Sequence, residues 1–199
     1  MKNKESNKES ISSLTLRLVI ITLCAGLILG LVYGITKEPI AAQELKKATE
    51  ARQQVLNAAQ DFAKIDIAGM NIDTEKFGDI TEVYEGSANG QAVGYTFSIV
   101  TKGYKPNLTL TIGIDTKGKV SGVDIGAHEE TPGLGANAVN PDFLGQFIKT
   151  DGPFIVVKTP TGNTGEINAL TGATITSKAV TNAVNSALEF YTQYFEKGA

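Results

Sequence analysis

The stretch Ala92-Val-Gly-Tyr-Thr-Phe-Ser-Ile-Val-Thr101 decides the fold class. Its side chains follow a period of two, and Val, Tyr, Thr, Phe and Ile suit a pleated, half-buried strand. The same period covers residues 80–85 before it and Leu108–Asp115 and Val120–Ile125 after it. Asp115-Thr116-Lys117-Gly118 reads as the turn between the last two, with Gly118 supplying a positive φ. Farther on, residues 141–148 read as a short helix and 154–158 as a strand. Residues 177–195 read as a helix whose Val180, Ala183, Val184, Ala187, Leu188 and Tyr191 form one apolar stripe. Upstream, Leu45, Ala48, Val55, Leu56, Ala59 and Phe62 recur at helical spacing over 40–63, and Pro39 suits the first turn of that helix. Helix, antiparallel strands, short helix, strand, helix is the order of an α+β domain.

The chain has 199 residues, 42% hydrophobic and 20% charged, which fits a folded protein rather than a disordered one. Its net charge of −3 argues against nucleic-acid binding, which needs a basic surface. One Cys excludes an internal disulfide and multi-thiolate zinc or iron–sulfur sites, and one His excludes a bis-His haem. Metal chemistry is not expected from such a set. The available chemistry rests on hydroxyls, carboxylates, backbone or a borrowed cofactor.

Residues 18–35, LVIITLCAGLILGLVYGI, carry no charge and are bracketed by Arg17 and Lys37. At about 1.5 Å per residue such a helix crosses most of a roughly 30 Å hydrocarbon layer. A buried core helix and a cleaved signal peptide are the competing readings. Against the first, the run has no amphipathic face. Against the second, Val32-Tyr33-Gly34-Ile35 makes a poor cleavage site, and Leu23 before Cys24 is wrong for a lipoprotein. The basic excess of residues 1–17 keeps the N-terminus in the cytoplasm. The expected organisation is a cytoplasmic tail over 1–17, an anchor in the cytoplasmic membrane over 18–36, a stalk helix over 37–65 and an extracytoplasmic domain over 66–199.

Two segments carry chemistry. Leu170-Thr-Gly-Ala-Thr-Ile-Thr-Ser177 sets hydroxyls around Gly172 and Ala173 just before a helix. Small residues allow close backbone approach, and the free N–H groups and dipole of a helix start favour a phosphate. Plain capping by Thr176 or Ser177, with Thr171 and Thr174 in a turn, explains the same residues. Gly126-Ala-His-Glu-Glu-Thr-Pro-Gly-Leu-Gly135 follows a strand and holds the sole histidine, His128. It is either a long turn with an acidic tip or a loop wrapping a planar ligand. Neither segment is a Rossmann, P-loop or nucleophile-elbow pattern.

Together the two segments resemble the signatures of the FMN-binding domain family: Thr171-Gly-Ala-Thr174 followed by x-Thr-Ser, and His128-Glu-Glu-Thr-Pro-Gly-Leu-Gly135. Their order and the preceding anchor are most like the G subunits of Rnf complexes, which pass electrons between ferredoxin and NAD and translocate ions. The C-type component of sodium-pumping NADH:quinone reductase is a larger relative. A membrane-anchored flavin sensor and a stand-alone extracytoplasmic flavoprotein remain alternatives of other classes. The resemblance implies FMN attached through its phosphate to Thr174, with Thr176 the competing acceptor and Thr171, Gly172, Ala173 and Ser177 around it. It implies that His128, Glu130, Thr131, Pro132, Gly133, Leu134 and Gly135 lie against the flavin, with Tyr104 as a further aromatic wall. It implies a flavin transferase for maturation. It also implies partner subunits in the membrane, a second flavinylated one and iron–sulfur subunits among them.

Overall fold

The computed structural model describes residues 11–70, 72–77 and 79–196. Most of the basic stretch that sets the expected orientation, residues 1–10, lies outside these. The chain divides between residues 47 and 48 into two compact units.

The first unit is the greater part of one helix, α1 (Ile11–Val55). Its apolar side chains stand exposed from Leu14 to Leu45, and it is long and apolar enough to cross a membrane. Thr22 and Thr36 donate their hydroxyls to carbonyls one turn back, at Leu18 and Val32, so neither leaves a polar group bare. Pro39 lies inside this helix rather than opening a second one. A proline removes one rung of the ladder. The helix formers Ala41, Ala42, Gln43, Glu44 and Leu45 continue it.

The second unit takes the last turns of α1 and everything after it. The elements are β1 (Asp61–Ile65), α2 (Thr74–Phe77), β2 (Ile80–Ala88), β3 (Gln91–Thr101), β4 (Leu108–Asp115), β5 (Val120–Ile125), α3 (Pro141–Leu144), β6 (Ile155–Val157), β7 (Glu166–Asn168) and α4 (Thr174–Tyr194). Strands β1 to β5 form an antiparallel meander in sequence order, and β6 and β7 form a short parallel pair. The β4–β5 turn closes as its residues predict: Gly118 has φ +73°, and Asp115 Oδ1 accepts the N–H groups of Lys117 and Lys119, each at 2.9 Å.

The helix expected over 40–63 ends at Val55, and β1 occupies part of its range. The reason is tertiary. Val55, Leu56 and Ala59 are buried by glycines of the sheet, not by a helical partner. Gly86 pairs with Gly94 and Gly113 with Gly122 across the strands. A side chain at Gly122 would meet Val55 Cα at 2.5 Å, one at Gly94 would meet Leu56 Cδ1 at 2.9 Å, and one at Gly113 would collide with the Val55 carbonyl. Into this trough Ser121 donates its hydroxyl to that carbonyl at 2.6 Å. Arg52, 4% exposed, lies 4.0 Å over the Tyr84 ring and 3.9 Å from Glu82.

The opposite face of the sheet holds the core. Phe97, Ile99, Leu110, Ile112 and Ile114 meet Val180, Val184, Ala187, Leu188 and Phe190 of α4. Each large side chain buried there contributes about 1.5–3 kcal/mol. Tyr191 donates to the Thr116 carbonyl at 3.0 Å, and Asn185 brackets the backbone of Phe154 with two bonds of 2.8 Å. These contacts fix α4 at both the β4–β5 turn and the strand β6 segment. They thereby fix where its N-terminus points.

Candidate functional site

The N-terminus of α4 forms one wall of a cleft of about 500 Å³. Tyr104, Glu130, Thr131, Leu134, Gly135, Gly172, Ala173, Thr174, Ile175 and Thr176 line it. Two segments far apart in the chain meet there, the 130–135 loop and the 172–176 helix start, together with the turn after β3. A volume of this size is that of a small-molecule or cofactor site.

Capping does not account for the hydroxyls. Helix α4 begins at Thr174, three residues ahead of the sequence reading, and Ala173 stands at its cap without a side-chain bond. Thr176 and Ser177 therefore lie inside the helix. Ser177 donates to the Ala173 carbonyl at 2.9 Å and accepts the Leu170 N–H at 3.0 Å. Thr176 donates to Glu130 Oε2 at 2.7 Å. Among the described residues, no acceptor meets the N–H groups of Thr174, Ile175 and Thr176. An uncapped helix start of this kind presents donors and a positive dipole end to an anion.

The hydroxyls of the segment differ in what they can do. Thr176 sits beside a carboxylate, as a nucleophile sits beside its base. It is only 1% exposed, so a bulky reagent cannot reach it. Ser177 is fully buried. Thr171 is exposed but outside the cleft lining, and Thr174 is half-buried within the lining, its hydroxyl without a hydrogen bond among the described residues.

Glu130 organises the other wall. It is 5% exposed, and besides the Thr176 bond it accepts the Lys105 N–H on Oε1 at 3.0 Å. Gly103 and Gly135 press on the same carboxyl. A side chain at Gly103 would collide with Oε1, and one at Gly135 with Oε2 and, at 2.6 Å, with Thr176 Oγ1. Gly135 is thus small because Glu130 occupies the space. At Gly172, φ is +73° and an added Cβ would lie 3.0 Å from Leu134 Cδ2, so this glycine keeps the cleft floor open.

Five residues read from the sequence as site residues do not line the cleft: Thr171, Ser177, His128, Pro132 and Gly133. His128 is half-buried and its Nδ1 has no partner. Ile175, 56% exposed, lines the cleft and was not singled out from sequence. Its signal was its place between Thr174 and Thr176.

Known proteins resemble this chain. The FMN-binding domain family matches residues 103–189, which take in the whole cleft lining. The G subunit of the Na(+)-translocating ferredoxin:NAD(+) oxidoreductase complex of Acetobacterium woodii is 38% identical over 188 residues, covering 89% of this chain and 90% of that protein. The G subunit of the proton-translocating ferredoxin:NAD(+) oxidoreductase complex of Clostridium ljungdahlii is 32% identical, over 96% of this chain and 97% of that one. Among solved structures, the C-type component of the Na(+)-translocating NADH-quinone reductase from Parabacteroides distasonis shares the fold. The TM-score is 0.55 at 22% identity, over 76% of this chain and 94% of that one.

Proposed function

Because the chain belongs to the family of G subunits of ion-translocating ferredoxin:NAD(+) oxidoreductase complexes, we propose that its cleft holds FMN joined through the phosphate to Thr174. The protein is an electron-transfer FMN subunit of such a complex. When bound, FMN supplies the one- and two-electron chemistry. The chain supplies attachment, walls and electrostatics.

The observation that carries the assignment is the state of Thr174: half-buried in the cleft, on an uncapped helix start, with its hydroxyl uncommitted among the described residues. Its oxygen forms the phosphoester, and the N–H groups of the first turn of α4 would hold the phosphate. Leu134, Ile175 and Tyr104 offer apolar surface to a planar ring system. As the ester forms, the Thr174 hydroxyl loses its proton and the flavin phosphate loses its bond to a leaving group, AMP where FAD is the donor. Among the described residues no base is bonded to that hydroxyl, and this reading assigns the base to a separate flavin transferase.

In this reading α1 anchors the protein in the cytoplasmic membrane with the N-terminus inside, and the flavin domain lies outside. Its partners are the other subunits of the complex: integral membrane subunits, a second flavinylated one among them, and iron–sulfur subunits. Coupling to ion movement belongs to the assembly.

The test compares the wild-type chain and Thr174→Ala, each produced with a flavin transferase and run on a denaturing gel. The wild-type band fluoresces as flavin and the variant band is dark. A fluorescent variant band would assign the flavin elsewhere.

A further inference from the structure

We propose that Glu130 is a positioning residue that pins three separate walls of the cleft together, and that flavin attachment at Thr174 depends on this pin. The inference rests on the reading of the cleft as the FMN site. The Glu130 carboxyl joins the turn after β3, through the Lys105 N–H at 3.0 Å, to the first turn of α4, through the Thr176 hydroxyl at 2.7 Å. Glu130 itself belongs to the third wall, the loop that continues to Leu134 and Gly135. Gly103 and Gly135 close on it from two sides, so the carboxyl fits a space that admits no added Cβ.

A side chain that is 5% exposed and uses both oxygens on protein donors is committed to holding those donors. Remove it, and the Lys105 N–H and the Thr176 hydroxyl lose a buried partner, which costs far more than a surface bond. The α4 first turn then loses its tie to the opposite loop. Thr174 sits two residues before the tied Thr176, so its placement suffers directly. A small misplacement of a reacting group has a large effect on rate. The pin needs an acceptor for the Lys105 N–H and a polar partner for Thr176. It does not need a negative charge, and an amide of the same length supplies both contacts.

Full-length wild type, Glu130→Ala, Glu130→Gln and Thr176→Val are each produced with a flavin transferase. Mass spectrometry reads the FMN occupancy of the peptide holding Thr171–Ser177. Occupancy falls about tenfold or more in Glu130→Ala, consistent with an unpartnered buried donor. Glu130→Gln recovers most of that loss. Thr176→Val, which keeps side-chain volume and cuts one arm, shows a loss of about threefold or more. Hydrogen exchange on the unloaded chain, in a Thr174→Ala background, supplies a readout independent of flavin. The Lys105 amide exchanges faster in Glu130→Ala and returns toward the parent rate in Glu130→Gln.

Glu130→Gln as empty as Glu130→Ala would mean that charge, not placement, is used, and would overturn the proposal. Wild-type occupancy in Glu130→Ala would overturn it equally. A wild-type peptide without FMN would contradict the site reading and take this inference with it. Unchanged exchange at Lys105 in Glu130→Ala would contradict the pin alone, so the two failures are told apart.

Discussion

Thr174 and Thr176 stand two residues apart, and one hydrogen bond separates their chemistry. The motif resemblance puts the acceptor at Thr174 and keeps Thr176 as the competitor, and composition alone does not separate them. The distinction comes from Glu130, 46 residues upstream of Thr176, which takes the Thr176 hydroxyl into the protein interior. Pattern reading named both partners as candidate site residues but could not see that they touch. Gly172 gives a further residue-level prediction. A non-glycine residue at φ +73° costs about 1–2 kcal/mol, and the added methyl also meets Leu134. Gly172→Ala is therefore expected to destabilise the fold by that amount in denaturant melts and to reduce FMN occupancy. Full stability with full occupancy would remove the role assigned to this glycine.

At the level of elements, strands β3, β4 and β5 were legible to within a residue because each is a short run of strand-forming residues bounded by turn signals, with β3 and β4 packing on α4. The end of α1 and strand β1 were not. Leu56, Ala59 and Phe62 keep a three-residue spacing that imitates a helix stripe, while the trough that receives Val55, Leu56 and Ala59 is built by glycines of β2, β3, β4 and β5. Glycines have no side chain to signal a face. The trough predicts that Gly122→Ala costs about 1–3 kcal/mol by overpacking against Val55. Denaturant melts of the full chain would measure it, and a cost near zero would mean the helix end sits loosely.

Glu82 ties the same region together. Lys64 at 2.5 Å, with help from Arg52 and the Tyr84 hydroxyl, holds the Glu82 carboxyl below its usual value of 4.5. A depressed carboxylate stabilises the fold above its unfolded pKa, and that contribution is lost as pH falls through the folded value. Glu82→Gln should melt below wild type at pH 7, and the gap should close below about pH 4.5, the unfolded reference. Asp124 has the opposite sign, since burial raises its pKa above the usual 3.8. Its ionisation at neutral pH opposes folding. Asp124→Asn should therefore melt higher than wild type at pH 7, and the gain should vanish in acid. A gain of equal size at low pH would point to packing rather than charge.

For the whole molecule, the uncharged run over 18–35 announced an apolar helix, and α1 is exposed along that run and long and apolar enough to cross a membrane. The chain is expected to stay with membranes through an alkaline carbonate wash. Release into the supernatant would rule out an integral anchor. The α+β class was legible from the order of periods, and the flavin family from two motifs that lie about 40 residues apart and meet in one cleft. The uncapped start of α4 was not legible, because Thr and Ser at a helix start ordinarily cap it. Here a tertiary bond to Glu130 takes the Thr176 hydroxyl and a local bond to the Ala173 carbonyl takes that of Ser177, so that among the described residues neither caps the N–H groups of Thr174, Ile175 and Thr176.

The most direct test is peptide mass spectrometry on the chain purified from its native membrane and denatured. The expected result is a gain of one FMN less water on the peptide holding Thr171–Ser177, with fragment ions assigning it to Thr174. The same peptide without added mass, or with the mass on Thr176, would contradict the assignment of Thr174 as the flavin attachment site.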